Sequence, residues 1–272
     1  MGCGGSTQPT EPSSEVGSGP TPLTITVMNK WNEGKTKEEV AAVLKQAQTI
    51  ATGVDGVIAF QYAMNDEKKE NTVTEIYRDA AAFQGFFAAA APALPALFEV
   101  ITTTEVVAQG PKAVLDSLSD ALAKFSPKVY YTDAVGCAHK PAEAKCSAQA
   151  PITLTIANTW NEGKSKDEVA GVLKAAGAAA LAADPGVYVF QYAINEEAKE
   201  NTLTEVYKDG AAVGAFLKAA EPLLPTLFGA ITTTKVIASG PKELLDAAGG
   251  ALAKFNPTVY YTDAVGSAVK YP

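Results

Sequence analysis

Residues 57–79, VIAFQYAMNDEKKENTVTEIYRD, predict two β-strands joined by a polar loop. Val57–Met64 is apolar apart from one glutamine, and Gly56 stands just before it. Asn65–Asn71 carries five charged residues, which is typical of an exposed loop. Thr72–Tyr77 is again rich in β-branched and aromatic side chains, which favour strands. The stretch therefore predicts an antiparallel hairpin.

The elements around the hairpin give a β-α-β-β-α-β order, followed by one more helix and strand. Thr36 is placed to cap the first helix, and Asp79 is placed to cap the helix after the hairpin. The predicted elements outside the hairpin are strand Leu23–Trp31, helix Lys37–Thr52, a helix interrupted by Pro92 and Pro95, strand Val100–Ala108, a helix from Gly110 to Lys124, and strand Lys128–Thr132. The first six elements match the ferredoxin-like split arrangement. Its helices cover one face of the sheet, so the other face needs a different cover.

The same pattern occurs twice in the 272-residue chain. The motif at Trp31–Lys35 recurs at Trp160–Lys164, a shift of 129 residues. Beyond an insertion of one residue the shift is 130, as Phe60–Ala63 and Phe190–Ala193 show. Agreement continues to the end of each copy, which indicates a tandem duplication.

The domain prediction follows from the repeat. A Gly-, Ser- and Pro-rich leader, expected to be disordered, covers 1–20; repeat 1 covers 21–136, a linker covers 137–150, and repeat 2 covers 151–268. We predict an α+β fold of two ferredoxin-like repeats, each with an extra C-terminal helix and strand. Because each sheet has an uncovered face, the repeats are expected to pair sheet to sheet as an intramolecular pseudo-dimer, in a monomeric protein.

Composition excludes several kinds of chemistry. A net charge of −8 argues against nucleic-acid partners, since a polyanion would be repelled. His139 is the single histidine and lies in the predicted linker. The predicted domains therefore cannot form a Ser-His-Asp triad or a histidine-ligated metal site. Cys137 and Cys146 flank the same linker at a spacing that is poor for a metal. We predict no metal and a reducing, cytoplasmic location.

Two features bear on membranes. Ala80–Phe98 is apolar apart from one glutamine, but its duplicate carries Lys218 and Glu221, so a soluble core helix is predicted rather than a span. The N-terminus fits the N-myristoylation pattern, with Gly2 as the acceptor. Stable anchoring needs a second signal, which palmitoylation of Cys3 would supply. The alternative is a flexible Gly-rich leader that matches the pattern by chance.

Two segments of repeat 1 resemble the antibiotic biosynthesis monooxygenase-like (ABM) domain of the dimeric α/β-barrel superfamily. They are Gly56–Tyr62 and Glu75–Asp79, the latter running into Ala82 and Phe83. The resemblance implies a closed barrel made from two sheets, with the second sheet supplied here by repeat 2. It implies a small apolar or aromatic ligand. The family includes cofactor-independent oxygenases, for which no cofactor is expected, and haem-degrading enzymes. The latter need a histidine on the second helix, which both repeats lack.

Strand alternation identifies a candidate amide in each repeat. Leu23, Ile25, Val27, Asn29 and Trp31 share one face of the first strand, so an asparagine near its end interrupts an otherwise apolar face. Asn158 is its counterpart in repeat 2. Either this amide bonds the backbone and shapes the core, or it faces a ligand. The resemblance favours the second role.

The third strand and its surroundings supply further candidates. Tyr77 and Tyr207 occupy a position where ABM relatives carry a pocket-lining tryptophan, although ordinary core tyrosines would also fit. Glu75 and Glu205 are candidate ligand-binding residues, which we interpret as structural hydrogen-bond partners rather than general bases. The remaining candidates are Trp31 and Trp160 at a pocket rim, and Phe83, Phe86 and Phe87 as core residues or as the wall of an apolar pocket.

Three hypotheses for function remain open at this point. The first is a cofactor-independent monooxygenase, or a related enzyme, acting on a small aromatic or quinone-like molecule. The catalytic residues would be Asn29, Tyr77, Asn158 and Tyr207. The second is a non-catalytic protein that binds an apolar ligand in the same pocket. The third is a structural, lipid-anchored barrel. The lack of histidine weakens the case for acid–base catalysis.

Overall fold

A computed structural model describes residues 21–139, 150–183 and 186–269. These residues form a β-barrel with helices packed on its outside. The predicted leader lies outside the described residues, together with the acylation candidates Gly2 and Cys3, and so does Cys146. We refer to 21–139 as the first half and to 150–269 as the second half.

The first half follows the predicted order, with two additions. Its elements are β1 (Leu23–Trp31), α1 (Lys37–Gly53), β2 (Val57–Asn65), β3 (Glu70–Tyr77), α2 (Ala80–Ala90), α3 (Leu94–Val100), β4 (Ile101–Gly110), α4 (Lys112–Ser117), α5 (Ser119–Ala123), β5 (Lys128–Tyr131) and β6 (Cys137–His139). The helix predicted from Gly110 to Lys124 is divided in two at Leu118. Residues 137–139, assigned to the linker from sequence, form strand β6.

The second half has the same succession of elements, except that one helix, α9, stands in place of α4 and α5. They are β7 (Ile152–Trp160), α6 (Lys166–Ala183), β8 (Val187–Asn195), β9 (Glu200–Tyr207), α7 (Gly210–Ala220), α8 (Leu224–Ala230), β10 (Ile231–Gly240), α9 (Lys242–Leu252), β11 (Thr258–Tyr261) and β12 (Ser267–Val269). The register repeats as well. Asn29 pairs with Asn71 in the first half, as Asn158 pairs with Asn201 in the second.

The predicted hairpin is present, but its loop is shorter than the sequence suggested. β2 and β3 pair from Val57 opposite Tyr77 to Asn65 opposite Glu70, so only 66–69 remains as a turn. Glu70 belongs to the strand through its pairing with Lys30 and Asn65, and the Tyr260 hydroxyl of the second half donates to its carboxylate at 3.0 Å. This long-range contact has no local sequence signal.

The predicted helix caps are confirmed. The Glu39 amide donates to the Thr36 hydroxyl at 3.2 Å, and the Thr36 amide donates to the Glu39 carboxylate at 2.8 Å, which forms a capping box. The Ala82 amide donates to the Asp79 carboxylate at 2.9 Å. These contacts begin α1 and α2 and direct both helices across the outer face of the sheet.

The apolar helix after the hairpin lies on the surface, which differs from the predicted core helix. A 3₁₀ turn at Ala91–Ala93 joins α2 to α3, where Pro92 stands. By length and composition the stretches Ala80–Val100 and Gly210–Ala230 could each cross a membrane, with mean hydropathies of 1.4 and 1.2. Only 22% of the most apolar 18-residue window in each stretch is buried, because one side packs on the sheet and the other faces outward.

Ten strands form a closed barrel. The two halves are connected through β5 and β11, which are additions to the ferredoxin-like unit. The strand order is β11-β10-β7-β9-β8-β5-β4-β1-β3-β2, and a pairing between β11 and β2 completes the circle. β5 pairs in parallel with β4 of its own half and antiparallel with β8 of the other. The short strand β6 pairs with β8, and β12 pairs with β2, so these strands also join one half to the other. The face of each sheet that faces away from its own half's helices is therefore covered by the other half.

Hydrogen bonds between buried polar side chains cross the barrel interior, beside an apolar cluster that includes Ile76 and Val206. The Thr24 hydroxyl donates to Gln191, and the Thr153 hydroxyl makes the equivalent bond to Gln61. The Gln61 amide then donates to the Pro151 carbonyl at 2.8 Å. Each of these bonds joins the two halves. Because buried polar groups are costly to leave without partners, the network favours one specific pairing of the sheets.

An ion pair joins the halves at equivalent positions. The Lys235 ammonium lies 2.7 Å from the Glu105 carboxylate. Glu105 and Lys235 are related by the shift of 130 residues, so one position carries opposite charges in the two halves. A Lys128 ammonium lies 3.4 Å from the same carboxylate. Both members of the Glu105–Lys235 pair are partly buried, so solvent weakens their interaction only in part.

Candidate functional site

Each half encloses an apolar cavity between the outer face of its sheet and its helices. In the first half this space measures about 90 Å³, with strands β1, β3 and β4 on one side and α2 and α3 on the other. We call it cavity 1, and its counterpart of about 70 Å³ in the second half cavity 2. The polar side chains at the floor of cavity 1 come from Asn29, Tyr62, Glu75 and Thr103.

Glu75 is the ionisable group at the floor of cavity 1. It is 8% exposed, and the Tyr77 hydroxyl donates to its Oε2 at 2.7 Å. Burial raises the pKa of Glu75 to about 7, although the bond from Tyr77 acts in the opposite direction. Among the described residues the Tyr77 hydroxyl is the one recorded hydrogen-bond partner of this carboxyl, and Glu75 lines the cavity. A carboxyl group with this pKa can take up or release a proton near neutral pH.

Asn29 supplies an oriented amide to the same cavity. A β-bulge between β1 and β4 lies at Met28 and Asn29 and brings Thr103 opposite Asn29. The Thr103 hydroxyl donates to Asn29 Oδ1 at 2.9 Å. Since that bond occupies the oxygen, the amide N–H groups are the atoms left to serve a ligand. They have no partner among the described residues.

Tyr62 is a floor residue that the sequence analysis did not identify. It lies on β2 opposite Val73, and its ring meets Phe60 edge to face at a centroid distance of 5.2 Å. Burial, with a smaller contribution from the charge of Glu75, raises the pKa of the Tyr62 phenol. Alternation along β2 could have found it, because Phe60, Tyr62 and Met64 share the face that turns toward the helices.

Cavity 2 has an equivalent polar floor, with the difference that Tyr207 lines it directly while Tyr77 does not line cavity 1. The Thr233 hydroxyl donates to Asn158 Oδ1 at 2.8 Å, and the Tyr207 hydroxyl donates to Glu205 at 2.8 Å. Glu205 is only 2% exposed, and burial raises its pKa to about 8. The arrangement of Asn, Thr, Glu and Tyr is therefore present twice.

The other predicted site residues lie in different surroundings. Phe83 lines cavity 1. Tyr77 does not line this cavity, but its hydroxyl donates to Glu75, which does. Trp31 and Trp160 do not line either cavity. Each is buried at its strand end beneath a lysine ammonium, Lys69 at 5.0 Å and Lys199 at 4.9 Å from the ring centroid. These contacts close the hairpin turns.

In the described parts of the chain, no group of three or more histidine, cysteine, aspartate or glutamate side chains could hold a metal ion. The donors in cavity 1 are one carboxylate, one amide and hydroxyl groups in apolar surroundings. Such a set suits proton transfer and hydrogen bonding to an organic oxygen.

Comparisons with known proteins identify the fold. No known family profile matches the chain, and no curated protein matches it. Among solved structures, a candidate monooxygenase from Lactobacillus acidophilus is similar over 80% of this chain and 92% of its own, with 13% identity and a TM-score of 0.56. One from Fusobacterium nucleatum is similar over 80% and 90%, again with 13% identity and a TM-score of 0.56. At this identity the likeness shows the fold alone.

Proposed function

We propose that the protein is an ABM-like, cofactor-independent monooxygenase or a related enzyme. Its substrate would be a small aromatic or quinone-like molecule bearing a hydroxyl or carbonyl group. The observation that carries the proposal is the buried carboxyl of Glu75, whose pKa is raised to about 7 at the floor of an apolar cavity. Glu75 therefore acts as a base here, and not only as the structural hydrogen-bond partner expected from sequence.

Each polar group around the cavity has a separate role in the proposed reaction. Glu75 takes the proton of a ligand hydroxyl, and the Tyr77 hydroxyl stabilises the carboxylate that accepts it. The Asn29 N–H groups donate to the ligand oxygen as it gains negative charge. The electron-rich anion then reacts with dioxygen. For a phenol, one oxygen atom becomes a carbonyl on the ring, and the other leaves as water with the C–H and O–H hydrogens. The ring is oxidised by four electrons to a quinone, and dioxygen is reduced by four.

The size of the cavity limits the ligand. A cavity of about 150 Å³ is known to admit benzene, whereas cavity 1 measures about 90 Å³. A single-ring ligand therefore requires an outward shift of α2 and α3, which are mostly exposed and linked by a 3₁₀ turn. The same observation favours a second candidate function, a binding protein that retains a small apolar ligand without turnover.

We also propose that the two halves arose by tandem duplication and pair as an intramolecular pseudo-dimer. The repeated register around Asn29 and Asn158 supports this origin. The pair between Glu105 and Lys235 supports pairing within one chain, because two copies of the first half would place glutamate against glutamate.

The enzyme is tested by the double change Asn29→Ala and Asn158→Ala, with dioxygen uptake measured on quinols and naphthols. Loss of a donor to a developing oxyanion lowers kcat by about 10²- to 10³-fold. The chain offers a matched control in Asn32→Ala with Asn161→Ala. The Oδ1 atoms of Asn32 and Asn161 also accept from a β4 or β10 threonine, at 2.7 Å, but neither residue lines a cavity.

The two variant pairs separate a chemical role from a structural one. We expect the Asn29/Asn158 variant to keep its fold, shown by circular dichroism, and to lose turnover, while the Asn32/Asn161 variant keeps both. Equal activity in the two variants would show that Asn29 only shapes the core. Ligand retention without dioxygen uptake in the wild type would select the binding protein instead.

A further inference from the structure

Two exposed phenylalanines stand at equivalent places in the two halves. In the described parts of the chain Phe98 of α3 and Phe228 of α8 are the large apolar side chains that are exposed, each by 45%. They are related by the shift of 130 residues. An exposed phenylalanine by itself is common on a protein surface. These two, however, also line cavity 1 and cavity 2 respectively.

Phe98 is the outermost residue in the lining of cavity 1. The other described residues that line this cavity are buried or half-buried, including Leu94 and Leu97 of the same helix. The same holds for Phe228 in cavity 2. A side chain that borders both the cavity and solvent marks the place where the wall is one side chain thick. We call the position of Phe98, at the junction of α3 and β4, the entrance of cavity 1.

The other sides of cavity 1 are closed more firmly. Its floor is the sheet, in which β1 pairs with β3 and β4 along its length, so a ligand cannot pass between these strands. On the helical side Phe83 stacks on Phe87 at 5.7 Å between ring centroids, and Phe87 meets Phe125 at 5.5 Å. Phe98 takes part in no ring pair within the described residues. Turning its side chain outward therefore breaks fewer contacts than displacing the other rings.

The movement that opens this entrance is also a fast one. Exposed side chains change rotamer within picoseconds to nanoseconds, whereas collective movements of helices are slower. A ligand small enough for the cavity needs the turn of Phe98 alone. A larger ligand needs the outward shift of α2 and α3 as well, but it passes the same residue.

We infer that ligands enter and leave cavity 1 past Phe98, and cavity 2 past Phe228. Each phenylalanine controls the rate at which its cavity exchanges a ligand with solvent. The inference goes beyond the proposed function and does not depend on the reaction, since an enzyme and a binding protein need the same entrance.

The test measures the exchange of xenon in each cavity of the full chain. Xenon is a suitable probe because it occupies apolar cavities and has no polar group. Val73 lines cavity 1 and its counterpart Leu203 lines cavity 2, so their methyl signals in NMR spectra report the two cavities separately. Methyl relaxation dispersion at partial xenon saturation gives the exchange rate at each residue.

Phe98→Ala should accelerate xenon exchange at Val73 by on the order of tenfold, because the buried part of the ring no longer has to move. Exchange at Leu203 should stay unchanged, and Phe228→Ala should give the reverse result. The control is Glu99→Ala, which changes an exposed neighbour that does not line the cavity and should affect neither rate. Phe98→Trp should slow exchange at Val73, and it tests the same point if circular dichroism shows that Phe98→Ala is misfolded.

Two results would overturn the inference. One is an exchange rate at Val73 that is the same in the wild type and in both Phe98 variants, or that rises equally in Glu99→Ala. The other is a wild type that binds no xenon, since a cavity with such an entrance would fill. Neither result decides the proposed function, which the Asn29 and Asn158 variants test separately.

Discussion

Replacing the buried carboxyls Glu75 and Glu205 with glutamine should remove a pH dependence of stability. Burial raises the pKa of Glu75 to about 7 and that of Glu205 to about 8, against an ordinary 4.5. In the folded protein the proton is held more tightly than in the unfolded chain. The stability that this provides is complete below pH 4.5 and is lost as the pH rises through 7 and 8.

The magnitude follows from the same values. One pKa unit corresponds to about 1.4 kcal/mol, so the full loss is about 3 kcal/mol for Glu75 and about 5 kcal/mol for Glu205. Both pKa values are raised by the same cause, the removal of the carboxyl group from water. Glutamine keeps the shape and still accepts the tyrosine hydroxyl, but it cannot ionise.

Urea denaturation between pH 5 and pH 9 measures this effect. The free energy of unfolding of the wild type should fall between pH 5 and pH 9. Glu75→Gln should lose less of it over this range, and Glu205→Gln should lose less still. Glu67→Gln, which changes an exposed glutamate in the 66–69 turn, serves as the control and should follow the wild-type profile. If all of these proteins show the same pH profile, the buried carboxyls do not have raised pKa values and the argument for Glu75 as a base fails.

Two further changes test the turn before β2 and the joint between the halves. Gly56 has a φ of 77°, and an added Cβ would lie 2.7 Å from the Ala82 Cβ, so Gly56→Ala should lower the free energy of unfolding by about 2–4 kcal/mol. Gly34→Ala has the same φ in open space and should show the backbone strain alone, about 1–2 kcal/mol by urea denaturation, so equal losses would contradict the steric argument. Lys235→Glu should destabilise the barrel by about 1–2 kcal/mol, reduced by partial exposure, and adding Glu105→Lys should recover part of that loss. Additive effects of these two changes in a double-mutant cycle would show that the pair does not select the partner sheet.

Local sequence pattern was sufficient for most elements of the repeat and for the starts of helices α1 and α2, although it missed strand β6 and the division of the helix at Leu118. Thr36 and Asp79 cap their helices as expected, since a cap depends on residues three positions apart. Alternation along β1 placed Asn29 on the face that the helices cover, and the structure has it there, because side-chain direction in a strand follows from position alone. The paired motifs also indicated two halves of one kind before any contact between them was known.

The site and the closure of the barrel were decided by tertiary structure. The role of Glu75 depends on its burial at the floor of cavity 1, and burial is set by residues that are distant in the chain. Trp31 was expected at the pocket rim, but packing under Lys69 holds it outside the cavity. Strands β5 and β11 were recognised as additions, yet only their pairing with β8 and β2 makes them the joints. Local patterns set which way a side chain points, whereas which surfaces meet depends on the free energy of the whole assembled chain.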